Sequence, residues 1–192
     1  MLKLVGLSGS LRRASFNTAL LKAAAASAPV GAELRCHTPH GIPLYDGDAE
    51  AADGIPQAVA RLKDAIAASD GLLLVTPEYN NSMPGVLKNA IDWLSRPAQD
   101  ARRVFSGKPV ALMGASPGGF GTILSQGAWL PVLRTLGVEF WSEGRLLVPH
   151  ASSVFAPDGT LPDANVREQL RLFMQGFAAF AQAHRDMARP PA

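Results

Sequence analysis

Residues 8–17 read SGSLRRASFN and run straight into an alanine- and leucine-rich segment. Ser10, Ser15 and Asn17 are side-chain donors, and Arg12 adds a guanidinium fork. A helix N-terminus offers unpaired N–H groups and a partial positive charge. Donors and a guanidinium gathered there make a site for a phosphate. The stretch has neither G-x-x-x-x-G-K-[ST] nor G-x-G-x-x-G, so a triphosphate cradle and a pyrophosphate lying on glycines are both disfavoured. Hydroxyls around one group suit a terminal monophosphate. The plain alternative is an ordinary N-cap with solvated arginines.

Two further stretches carry unusual residues. TPEYNNSMPG (residues 76–85) sets Tyr79 among Pro77, Glu78, Asn80 and Asn81. Either this is a simple turn, or Tyr79 is a wall for a planar ring whose heteroatoms meet amide groups. ASPGGFGT (residues 115–122) holds Gly118, Gly119 and Gly121, which let backbone come close to a flat ligand. No Ser/His/Asp or Cys/His constellation stands out, so a hydrolase or transferase acting on a phosphorylated substrate has no nucleophile–base pair.

Composition narrows the classes. The chain has 192 residues, 47% hydrophobic and 18% charged, enough for the core of one domain spanning 1–192. Lys plus Arg is 18 against 16 for Asp plus Glu, a balance too even to argue for nucleic acid. The single cysteine, Cys36, allows no internal disulfide and no thiolate metal site, and the four histidines lack ligand spacing. No apolar run approaches the ~20 residues of a membrane span. With no signal-peptide core at the N-terminus, a cytoplasmic protein is expected.

The elements that must position the three stretches alternate. Apolar runs at 2–7, 32–37, 72–75 and 109–115 read as strands, with 138–141 and 145–149 as one last strand interrupted at Gly144. Helices are expected over 16–27, over a stripe of Ile55, Val59, Leu62 and Ile66 ended by Gly71, from Pro84 to Ser95, and over 122–136 with a possible break at Pro131. A loop is expected from Thr38 to Gly54. Val166, Leu170, Phe173, Phe177 and Phe180 form the stripe of a final helix. Alternating β and α elements imply an α/β three-layer sandwich, a five-stranded parallel sheet with helices on both faces. The flavodoxin-like order 2-1-3-4-5 puts the loops 8–15, 76–83 and 115–121 together at the topological switch point, where ligands bind in such folds.

The motifs GSLRRASFN, PEYNNSMPGVLKNAIDWLSRP and ASPGGFG, in this order, resemble those of the NAD(P)H-dependent FMN reductase family, which includes quinone, chromate and azo-dye reductases. The likeness implies that Ser10, Arg12, Ser15 and Asn17 hold the FMN phosphate, with Phe16 contributing backbone. Pro77, Glu78, Tyr79 and Asn80 would border the isoalloxazine ring, with Ser116, Gly118 and Gly119 on its other edge. NADPH or NADH would be the co-substrate, and quinones, azo compounds, chromate or free flavin the small acceptors. No catalytic side chain and no metal are implied, since the flavin carries the hydride. Thr122 and Leu124 depart from the second glycine pair and arginine that many relatives carry. A homodimer or homotetramer is expected from the likeness and from a broad apolar face of Val86, Leu87, Ile91, Trp93 and Leu94. The competing reading is a flavodoxin-type electron carrier with no turnover of its own. A nearly neutral charge balance argues against it, because carriers steer protein partners with a charged face.

Overall fold

The computed structural model describes residues 1–188. Four strands, β1 (Leu2–Ser8), β2 (Ala32–His37), β3 (Gly71–Val75) and β4 (Pro109–Ala115), are joined by two short ones, β5 (Glu139–Phe140) and β6 (Leu146–Val148). The sheet is parallel throughout, in the order β2-β1-β3-β4-β5, and β6 also pairs with β4. This is the flavodoxin-like order expected from the alternation.

The sheet sorts its side chains by parity. Leu73, Val75, Ala111 and Met113 face one core together with Leu20 and Leu21 of α1 (Phe16–Ala26) and Leu170, Phe173 and Phe177 of α8 (Ala164–Ala188). Leu72, Leu74, Val110 and Leu112 face the other. There they meet Val59, Leu62 and Ile66 of α3 (Gln57–Ala67), Leu87 and Ile91 of α4 (Gly85–Leu94), and Trp129 and Leu133 of α6 (Ile123–Leu136). Period-two alternation on a strand buried on both faces leaves no polar position, so β3 and β4 read as unbroken apolar runs. Each fully buried leucine contributes about 1.5–3 kcal/mol.

Several details differ from expectation. The interval from Thr38 to Gly54 contains a short exposed helix, α2 (Gly47–Asp53), and α5 (Ala98–Phe105) fills a gap before β4. α3 stops at Ala67, and Gly71 opens β3 rather than ending the helix. α6 runs unbroken through Pro131. The last strand is two pieces out of register: Pro109 pairs with Glu139, whereas Met113 pairs with Leu146, so residues 141–145 step off the sheet. A four-residue helix, α7 (Ala151–Val154), follows β6.

The broad face of α4 is covered from within the chain. Leu87, Ile91, Trp93 and Leu94 are all buried in the core on this side of the sheet, and Val86 is half-buried. The Trp93 indole donates to the Pro43 carbonyl at 2.9 Å, and Tyr45 packs edge-on against its ring. That face is therefore no surplus apolar surface. No helix among the described residues is long and apolar enough to cross a membrane.

Candidate functional site

The site begins where β1 ends. Gly9 donates its N–H to the Val75 carbonyl at 2.8 Å, and the chain then turns into α1. The turn is fixed by its own polar side chains. Asn17, 4% exposed, donates to the Ala115 carbonyl at 2.8 Å and accepts from the Ala115 N–H at 2.9 Å. The start of α1 is thereby locked to the end of β4. Ser15 is the N-cap, its hydroxyl oxygen accepting from the Thr18 N–H. The Ser10 hydroxyl oxygen accepts from the Arg12 N–H. Arg12 folds back, donating from Nε and Nη2 to the Ala14 carbonyl, with its guanidinium 5.4 Å from the Phe16 ring centre.

This pattern sorts donors from acceptors. Both serine oxygens spend a lone pair on a backbone N–H, and both keep an O–H to give. The first-turn N–H groups of Phe16 and Asn17 have no partner among the described residues, as expected at a helix start. The loop presents donors and a guanidinium and offers no carboxylate, which is the donor set a phosphate monoester requires. FMN therefore fits this end.

The ring end is built differently. Asn80 and Asn81, at φ 49° and 60°, form a two-residue reversal in which Tyr79 and Ser82 exchange backbone hydrogen bonds of 3.0 Å. Tyr79 is left 48% exposed. Glu78 reaches across to α6: one carboxylate oxygen accepts from the N–H groups of Leu124 and Ser125, at 2.9 and 3.0 Å. Thr122, the backbone N-cap of α6, makes no side-chain cap bond. The start of α6 is thus capped by a residue 46 positions away, and its positive end already has a counter-charge. Underneath, the Thr76 hydroxyl donates to the Pro77 carbonyl, meets the Ser125 hydroxyl and accepts from the Trp129 indole.

In the glycine loop only Gly121 takes a left-handed conformation, at φ 62°. Gly118 is held by its carbonyl, which accepts from the His150 N–H at 3.0 Å, and the Ser116 hydroxyl donates to the Gly121 carbonyl. Phe120 stands 81% exposed and Leu124 48% exposed. Thr122 is fully buried and accepts from Gln126.

A cavity of about 170 Å³ joins these loops. It is lined by Ser10, Arg12, Ser15, Phe16, Asn17, Pro77, Glu78, Tyr79 and Ser116, together with Ala115 and Pro117. Asn80, Gly118 and Gly119 lie outside its lining: Asn80 serves the turn, and the two glycines sit on the outer rim of their loop. The volume is below the ~300–1,000 Å³ that encloses a whole drug-sized ligand, so this cavity does not by itself enclose a group of FMN's size. Lys88 of α4 is outside this lining and is paired with Asp92 at 2.7 Å. His150 escaped sequence reasoning, although a histidine just past the last strand at the switch-point edge was a usable signal. Its φ of 50° and its bond to Gly118 tie β6 to the glycine loop.

Known proteins share this sequence and fold. A family model described as NADPH-dependent FMN reductase matches residues 2–153. An NAD(P)H-dependent FMN reductase of Pseudomonas aeruginosa is 43% identical over 174 residues, covering 91% of this chain and 92% of that one. A 2-hydroxy-1,4-benzoquinone reductase of a Burkholderia species is 39% identical, covering 96% and 98%. Among solved structures, a flavoenzyme NAD(P)H:(acceptor) oxidoreductase of Paracoccus denitrificans superposes with a TM-score of 0.83 at 34% identity, covering 96% of this chain and 99% of that one. With similarity running through all three loops and the whole sheet, the chain belongs to the NADPH-dependent FMN reductase family.

Proposed function

We propose that the chain is an FMN-dependent NAD(P)H oxidoreductase that reduces small acceptors, quinones foremost. The observation that carries this reading is the donor-only loop at one end of a cavity whose other end is open and aromatic. Bound FMN would supply the two-electron chemistry, taking hydride from the nicotinamide and passing electrons to the acceptor.

The chain's own part is placement. The Ser10 and Ser15 hydroxyls, the Arg12 guanidinium and the first-turn N–H groups of α1 would hold the phosphate. Asn17 would act through the backbone, by fixing where α1 begins. Pro77 and Tyr79 would border the ring on one edge and Ser116 and Pro117 on the other. Gly118 and Gly119 would offer rim N–H groups to the ring, without help from α6, whose start Glu78 already occupies. One open face serves donor and acceptor in turn, so ping-pong kinetics are expected. Relatives named quinone reductase, such as that of Pseudomonas putida at 37% identity, favour quinones as acceptors. A single domain, a cytoplasmic location and a homodimer or homotetramer complete the proposal.

Anaerobic mixing tests it. NADPH or NADH alone should bleach the yellow of the FMN-loaded protein within minutes, and a small quinone should restore it over many turnovers. Reduction by dithionite but by neither nucleotide would leave an electron carrier instead.

A further inference from the structure

Beside the phosphate loop lies a second and larger cavity, of about 470 Å³. It is formed between the start of α1 and the segment after α7. Arg12, Ser15 and Phe16 line both cavities, so the two lie on either side of the same loop. Arg13 and Lys22 add two more cations. Neither side chain enters a hydrogen bond or ion pair with any described residue, whereas Arg12 bonds the Ala14 carbonyl and faces the smaller cavity as well. The one carboxylate in the lining, Asp158, accepts from both the N–H and the hydroxyl of Thr160, at 2.9 and 2.7 Å. Phe16 and Phe155 both line the cavity and stack at 5.8 Å and 29°.

Aromatic faces, a volume in the range of small-ligand sites and two uncommitted cations describe a receptor for a phosphorylated aromatic group. Under the proposed function, the nucleotide that must reach the neighbouring flavin site carries such a group. We propose that this groove receives the adenosine 2′-phosphate end of NADPH, with Arg13 and Lys22 as the residues that distinguish NADPH from NADH. The inference rests on reading the neighbouring cavity as the FMN site. The phosphate loop then has two sides: one grips the resident cofactor, and the other guides the nucleotide whose nicotinamide must reach the open ring face.

The test is calorimetric and needs no turnover. FMN-loaded protein is titrated with adenosine 2′,5′-bisphosphate and with AMP. The bisphosphate should bind about tenfold more tightly, and an Arg13→Ala/Lys22→Ala double variant should lose that preference. The double variant should keep its FMN, read from the visible spectrum, because neither residue lines the smaller cavity. Equal affinities, a preference that survives the double substitution, or FMN released by the bisphosphate would overturn the inference while leaving the flavin reading intact. A chain that holds no FMN at all would overturn both.

Discussion

The two ends of the cavity differ in how they are held. At the phosphate end, Ser10, Ser15 and Asn17 are nearly buried, and each hydrogen-bonds a backbone group. At the ring end, Tyr79, Phe120 and Leu124 project into solvent, while the Glu78 carboxylate and, beneath it, the buried contacts of Thr76 with Ser125 and Trp129 tie the β3 loop to α6. A phosphate site has to exist before its ligand arrives, since donors that must be gathered on binding cost affinity. A face that admits two different substrates in turn gains nothing from being closed. Buried polar contacts hold the scaffold at both ends, and only the ring end leaves apolar surface open where reactants would come and go.

Asn17→Ala attacks the stronger side of this contrast and should have the largest effect. It strips both partners from the buried Ala115 peptide groups, at a cost of about 2–4 kcal/mol. Denaturant unfolding of the FMN-free protein is the measurement, and a loss below about 0.5 kcal/mol would mean that α1 is positioned by its apolar packing alone. Arg12→Ala comes next. It should weaken FMN roughly ten- to a hundredfold, by loss of one charge-assisted contact, while riboflavin binding holds. Equal weakening of the two flavins would move the phosphate elsewhere. Tyr79→Ala should be mildest for the fold, within about 0.5 kcal/mol of the parent, because a half-exposed side chain takes little with it. Its effect should fall on flavin affinity or turnover, and wild-type values for both would reduce Tyr79 to a turn residue.

Much of the architecture was legible because burial on two faces forces a readable pattern. Runs such as LLLV and PVALMGA admit no other reading, and the α8 stripe has a clear helical period. α2 and α5 were illegible for the opposite reason: α2 buries no residue and α5 only Val104 and Phe105, so neither leaves a period to detect. At the site, residue types announced donors without showing who uses them. Glu78 and Asn17 both line the cavity, and their further tasks stayed hidden: Glu78 also caps a helix, and Asn17 also locks two elements 98 residues apart. Such partners follow from tertiary placement, on which local spacing is silent. The width of the α4 face has a similar source, since its Trp93 packs under the loop carrying Pro43 and Tyr45, distant in sequence.

The interrupted last strand bears on what the sheet edges offer to other strands. An open sheet edge is a template for further strands, from its own kind or from amyloid. Here one edge ends in pieces of two and three residues, with 141–145 stepping away between them. Trp141 anchors the excursion. Its ring lies where a Cβ on Gly144 would be 2.1 Å away and one on Gly176 2.6 Å away, so only glycine fits beneath it. The opposite edge, β2, carries the exposed charges of Glu33 and Arg35 along its length. Neither border offers a long, flat, apolar row of free peptide groups, and the sheet is protected from templated growth on both sides.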